Sequence, residues 1–161
     1  MTDFDALLRA LVEGGVEFII IGGVAATAHG SAHVTVDLDV VYRRTAGNID
    51  RLAAALAPLG PYPRGAPAGL PFAFDPDEIR RGLNFTLATR AGDLDLLGEA
   101  TGGGTYDALL PRSLALRVFG LECRFVDLDM LVHLKRAAGR PRDLERIAEL
   151  DALREEVARG H

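Results

Sequence analysis

Asp37 and Asp39 stand one residue apart in an apolar, β-branched run, VTVDLDVV. An extended strand sends alternate side chains to opposite faces, so the two carboxylates point the same way. Carboxylates aligned like this repel, and the usual remedies are a divalent cation, a shared proton or open water. Upstream, Gly22 and Gly23 follow a strand-like FIII and precede Val24-Ala25-Ala26-Thr27-Ala28, which reads as the opening of a helix. Glycines at such a corner let a bulky anion approach main-chain N–H groups at a helix start. The stretch is therefore suited to phosphate and a hard cation. Alone, an Asp-x-Asp is common on solvated strand edges and a Gly-Gly is more often a turn; their spacing within one strand–helix–strand unit favours the functional reading.

A further pair of carboxylates lies downstream, where Ala91-Gly92 turns the chain into Asp93-Leu94-Asp95-Leu96-Leu97. Asp93 and Asp95 share a strand face, and the apolar neighbours of Asp95 argue against a plain surface carboxylate. Lys135 and the arginines 136, 140 and 142 form a cationic stretch. Such a stretch either complements a helix C-terminus or meets the charge of a phosphate ligand. His29 and His33 flank the same region, but neither has a second histidine at metal-ligand spacing. A hydrogen-bonded structural role suits His29, and phosphate contact is the functional option for His33.

The elements that must position these groups follow from periodicity. Thr2 or Asp3 caps a first helix with Phe4, Leu7, Leu8 and Leu11 on one side, ended by Gly14-Gly15. Residues 16–21 and 34–42 read as neighbouring strands, and Asn48 reads as the cap of a second helix. From 60 to 76 the chain is rich in Pro and Gly, a lid or slack loop in which Phe72 and Phe74 either stack on a base or anchor the loop to the core. Asp75-Pro76 opens a short helix, 83–89 alternates as a strand, and Gly102-Gly103-Gly104 reads as a flexible connection because no Walker lysine follows it. A helical turn is expected over 106–110. Residues 114–119 and 121–126 form a hairpin about Gly120, Asp127 caps a helix to about Ala138, and Asp143 caps the last one.

With 161 residues, 48% of them hydrophobic and 25% charged, the chain suits one globular domain. A formal charge of −5 argues against a general nucleic-acid coat, though not against a local basic groove. The single cysteine, Cys123, excludes an internal disulfide and a cysteine zinc cage, and its flanks favour a structural thiol. No signal-peptide pattern or membrane-length apolar run is present, so the expected compartment is the cytoplasm, with no membrane partner.

The motifs together resemble the DNA polymerase β-like nucleotidyltransferase superfamily. Gly22, Gly23, Ala25, His29, Gly30, Thr35, Asp37 and Asp39 fit the pattern G-G-x-A-x-x-x-H-G-x-x-R-x-T-x-D-x-D of the bacterial branch that includes AbiEii-type toxin nucleotidyltransferases. His33 stands where that branch often has Arg. The stretch from Gly92 matches G-x-x-D-L-L with Asp95 at the acidic position, and 131–144 is similar to L-x-x-x-K-x-x-A-x-R-x-K-D-L, with Arg142 replacing Lys. The resemblance implies an α/β (α+β) fold: a mixed-sheet nucleotidyltransferase core over about 14–126 flanked by helices, and a C-terminal helix pair over about 127–158, in a single domain spanning 1–161. It implies that Asp37, Asp39 and Asp95 are catalytic and hold two Mg²⁺ ions, or Mn²⁺, with Asp95 as general base. Gly22, Gly23, Thr35, Lys135 and His33 would contact the nucleoside triphosphate, and Asp143 would position the loop between the last helices. The implied acceptor is RNA, such as a tRNA 3′ end, with a cognate antitoxin as protein partner. A small hydroxylated acceptor of the aminoglycoside kind, and a catalytically silent nucleotide- or partner-binding module, remain the alternatives.

Overall fold

The computed structural model describes residues 2–31, 35–139 and 141–160, with the backbone alone over 141–145. Its helices are α1 (Phe4–Glu13), α2 (Gly22–Ala28), α3 (Ala46–Leu56), α4 (Pro76–Arg81), α5 (Tyr106–Leu109), α6 (Leu128–Ala138) and α7 (Pro141–Ala158). The strands are β1 (Phe18–Ile21), β2 (Asp37–Tyr42), β3 (Tyr62–Pro63), β4 (Asn84–Thr89), β5 (Gly92–Leu97), β6 (Ser113–Val118) and β7 (Leu121–Val126). They pair into one mixed sheet in the order β3-β4-β5-β2-β1-β7-β6, an α+β architecture closed by a C-terminal helix pair. No helix among the described residues is long and apolar enough to cross a membrane.

Local chemistry accounts for most boundaries. Asp3 accepts a hydrogen bond from the Ala6 amide and caps α1, whose Leu7, Leu8 and Leu11 are fully buried. Burying each such leucine contributes about 1.5–3 kcal/mol before the entropy of ordering it. Thr2 does not cap; its hydroxyl donates to the Val36 carbonyl and ties the N-terminus to the approach of β2. Asp75 and Asp127 cap α4 and α6 as expected, accepting from Glu78 N and Met130 N. Phe119 and Gly120, both at positive φ, make the two-residue turn of the β6–β7 hairpin. Cys123 is buried on β7, which pushes its thiol up to about 11 and makes it structural.

Five expectations are corrected. Thr45, not Asn48, caps α3; its hydroxyl accepts from the Asn48 amide. Asn48 is fully buried, accepting from Glu17 N at 2.7 Å and donating to the Glu17 and Arg43 carbonyls at 3.0 and 2.8 Å. That bond diverts the Glu17 N–H from the sheet ladder, and β1 starts at Phe18 instead of at residue 16. The second strand is also shorter than 34–42. β1 ends at Ile21 opposite Asp39 and the parallel pairing with β5 begins at Asp37 opposite Asp93, so Thr35 and Val36 lie outside the ladder. The fourth concerns the triple glycine, which is a packed turn: a Cβ on Gly103 would lie 2.6 Å from Leu134 Cδ2 of α6. Finally, α7 begins at Pro141, which puts Asp143 inside its first turn instead of at the cap.

Asn48→Ala should lower unfolding stability by roughly 1–3 kcal/mol, because it leaves the Glu17 amide and the Arg43 carbonyl unmet, while the Glu17 carbonyl keeps the Arg43 amide at 3.2 Å. Urea unfolding checks this; a loss below about 1 kcal/mol would mean that water replaces the amide.

Candidate functional site

The carboxylates meet because β2 and β5 run parallel in register, Asp37 opposite Asp93 and Asp39 opposite Asp95. Neighbouring strands lie about 4.8 Å apart, so the two Asp-x-Asp pairs form a square of acids on one face. On the opposite face the alternating Leu38, Val40, Leu94 and Leu96 are fully buried, which locks the register: a one-residue slip would bury the acids and expose the leucines. Like charges opposed across strands are destabilising. Something must offset them.

Asp37, Asp39 and Asp95 each offer a carboxylate oxygen, and these three atoms lie within 4.8 Å of one another. The group can hold a metal ion. Its all-oxygen donor set is of the hard kind, and Asp95 Oδ1 is buried without a hydrogen-bond partner. Asp39 is pushed from 3.8 up to about 8. Burial is the main cause, followed by its hydrogen bond with Asp95 and the charges of Asp95 and Asp37, while Lys135 opposes them. A shared proton thus relieves part of the repulsion at neutral pH.

Gly22 explains how the backbone reaches this group. It follows β1 directly with φ +70°, and a Cβ on it would strike Asp39 Oδ2 and lie 3.0 Å from Cγ. Only glycine fits there on both counts. Gly23 is close-packed differently, against Thr35, whose Cβ and hydroxyl oxygen would each lie 2.6 Å from an added Cβ. Thr35 itself donates to the Asp37 carbonyl at 3.3 Å. Both steady the corner from behind.

A cleft of about 290 Å³ opens over the acids, near the lower end of the range for small-molecule sites. Gly22, Asp37, Asp39, Asp95 and Lys135 line it together with Thr86, Thr101 and apolar side chains from β5 and α6. Gly23 and Thr35 do not line it. Lys135 is buried to 8% exposure on the last turn of α6, close enough for its charge to act on Asp39. Elsewhere in the cationic stretch Arg136 pairs with Asp151 at 3.1 Å, away from the acids. His33, Arg140 and the side chains of Arg142 and Asp143 lie outside the described residues. His29 donates from Nε2 to the Val126 carbonyl at 2.9 Å, since a carbonyl can only accept. That is a structural role.

Arg64 was not among the candidates, yet it reaches the acids. Its NH2 lies 2.9 Å from Asp95 Oδ1, its Nε 3.4 Å from Asp93 Oδ1 and its NH1 3.8 Å from Asp37 Oδ2. The approach to Asp95 is close but off the line of a hydrogen bond, and among the described residues the guanidinium makes its hydrogen bond from NH2 to the Leu87 carbonyl at 2.8 Å. The loop that carries Arg64 is built, not slack: β3 pairs with β4 and the Arg64 amide donates to Thr86 O at 3.0 Å. Tyr62, Phe72, Phe74 and Phe85 form a chain of ring contacts with centroids 5.4–6.4 Å apart. Phe72 and Phe74 therefore anchor the loop. No local pattern pointed to Arg64, which lies in the Pro- and Gly-rich stretch read as a lid or slack loop.

Neither a protein-family model nor a curated protein matches this sequence.

Proposed function

We propose that the chain is a metal-dependent nucleotidyltransferase of the DNA polymerase β-like kind, moving a nucleoside monophosphate from a nucleoside triphosphate to a hydroxyl acceptor. The observation that carries this reading is the convergence of Asp37, Asp39 and Asp95 in one cleft with the Gly22 corner and Lys135. Asp37, Asp39 and Asp95 would hold Mg²⁺ or Mn²⁺, which supplies positive charge for the triphosphate and acidifies the attacking hydroxyl. Asp95 accepts the hydroxyl proton. The acceptor oxygen bonds to the α-phosphorus, the α–β bridging P–O bond breaks, and pyrophosphate leaves with that electron pair. Lys135 faces the negative charge that builds on the leaving group. Gly22, lacking a side chain, leaves room for phosphate against the backbone.

RNA, in particular a tRNA 3′ end, is the acceptor we favour, in the cytoplasm and under the control of an antitoxin. Transfer to RNA would weaken steeply with added salt, whereas transfer to a small hydroxylated acceptor would not. Arg64 against the acids favours a second reading, a silent nucleotide- or partner-binding module in which the charge pairing is permanent.

Incubation with Mg²⁺, each α-labelled nucleoside triphosphate in turn and total cellular RNA tests the proposal, with Asp39→Ala alongside. Label on RNA with the parent, absent with Asp39→Ala, is the expected result and identifies nucleotide and acceptor. Absence of both labelled product and pyrophosphate release, with RNA and with small hydroxyl compounds, would leave the silent module.

A further inference from the structure

We propose that Arg64 is the resident counter-cation of the carboxylate site, and that a divalent cation enters by exchanging with its guanidinium. The inference rests on reading Asp37, Asp39 and Asp95 as the cation's ligands. Three nitrogens of one side chain face three different carboxylates, at 2.9, 3.4 and 3.8 Å. The side chain is only 26% exposed, so this charge pairing is shielded from water far better than an ordinary surface bridge.

The pairing is also incomplete. Nε of Arg64 and Oδ1 of Asp95 are both buried without a hydrogen-bond partner, although the guanidinium and the carboxylates lie within ion-pair distance. A guanidinium that had settled permanently on carboxylates would make the parallel, bidentate bonds that its fork favours. Instead it straddles the group and gives its one good bond to the Leu87 carbonyl. A small divalent ion approaches carboxylate oxygens to about 2.1 Å and carries twice the charge, so it can displace such a partner.

The exchange requires side-chain rotation alone. The backbone of Arg64 is fixed by the hydrogen bond its N–H donates to the Thr86 carbonyl, and the Tyr62 hydroxyl accepts from the Leu70 amide at 3.1 Å to hold the following turn. Arg64 is thus a positioning residue that holds the repelling acids together until the cation replaces it, and it sets the affinity for that cation.

Calorimetric titration of Mn²⁺ into the parent, Arg64→Gln, Arg64→Lys and Asp39→Ala proteins tests this, after circular dichroism confirms that each is folded. Arg64→Gln should bind Mn²⁺ at least about tenfold more tightly, since no charge has to be displaced, and should melt lower than the parent when no cation is added. Arg64→Lys should bind as the parent does, and Asp39→Ala should not bind. In the parent, titration with diamagnetic Mg²⁺ should move the ¹⁵N signal of the Arg64 side chain, identified by its absence from Arg64→Lys. Equal or weaker Mn²⁺ binding by folded Arg64→Gln, or an Arg64 signal that stays put while Mg²⁺ binds, would overturn the exchange and leave the metal site standing. Absence of Mn²⁺ binding by parent and Arg64→Gln alike would overturn the metal site itself, and the exchange with it.

Discussion

Asp39→Asn is expected to yield a protein that melts higher than the parent at pH 8 and has lost the proposed nucleotidyl transfer by about 10³-fold or more. Both effects have one origin. Asp39 is raised from 3.8 to about 8, first by burial, then by the hydrogen bond and the charge of Asp95. Below about pH 4 folded and unfolded chains both hold the proton; from about 4 to 8 only the folded chain does. Stability conferred by this group therefore falls as pH rises across that window and is fully lost above 8. Asparagine stays neutral at every pH and nearly keeps the shape, so its melting temperature should show less of that fall. Each kcal/mol relieved is worth roughly 2–4 °C in a chain of this size. Adding Mg²⁺ at pH 8 should reverse the order, because the ion stabilises only the chain whose acids can hold it. Thermal melts at pH 5, 6.5 and 8, with and without Mg²⁺, check the claim. Parallel profiles for parent and variant would show that Asp39 carries no unusual proton.

What could be read from residues in order was whatever local periodicity encodes. The FIII strand, the glycine corner, the two Asp-x-Asp pairs and the capped helices at Asp3, Asp75 and Asp127 all announce themselves within a few residues. The pairing of Asp37 with Asp93 did not, because it depends on a parallel register between segments separated by two helices and two other strands. Arg64 was hidden for a related reason. The two-residue edge strand Tyr62–Pro63 that precedes it has no alternation to reveal it, and nothing near Arg64 in sequence carries a matching acid. At Thr45 and Asn48, either residue type can cap a helix; the choice is made by the distant donors and acceptors of Glu17 and Arg43, which only an amide can serve together. Lys135 was foreseeable as a cation near the end of α6, but its turn into the cleft follows from tertiary packing.

Gly22→Ala should be strongly damaging, and comparison with Gly120→Ala separates its two causes. Both glycines have positive φ, +70° and +75°. A Cβ at Gly120 would meet nothing within 4 Å, so Gly120→Ala exposes the backbone strain alone, about 1–2 kcal/mol. Its transfer activity and Mn²⁺ affinity should stay at the parent's level. At Gly22 the same methyl would overlap the Asp39 carboxylate, and either the corner or the carboxylate must move. The expected loss is roughly 3 kcal/mol or more, with at least about a hundredfold loss of transfer, since a 1 Å displacement of a catalytic group is enough for that. Placing Gly22→Ala in an Asp39→Ala background removes the oxygen and carbon it strikes, leaving a Cβ contact of 3.1 Å. Its stability cost there should shrink toward that of Gly120→Ala, a coupling readable by urea unfolding of the four proteins of the cycle. Additive costs would mean that Gly22 is required for its backbone angle alone, and that the carboxylate does not depend on the closeness of the corner.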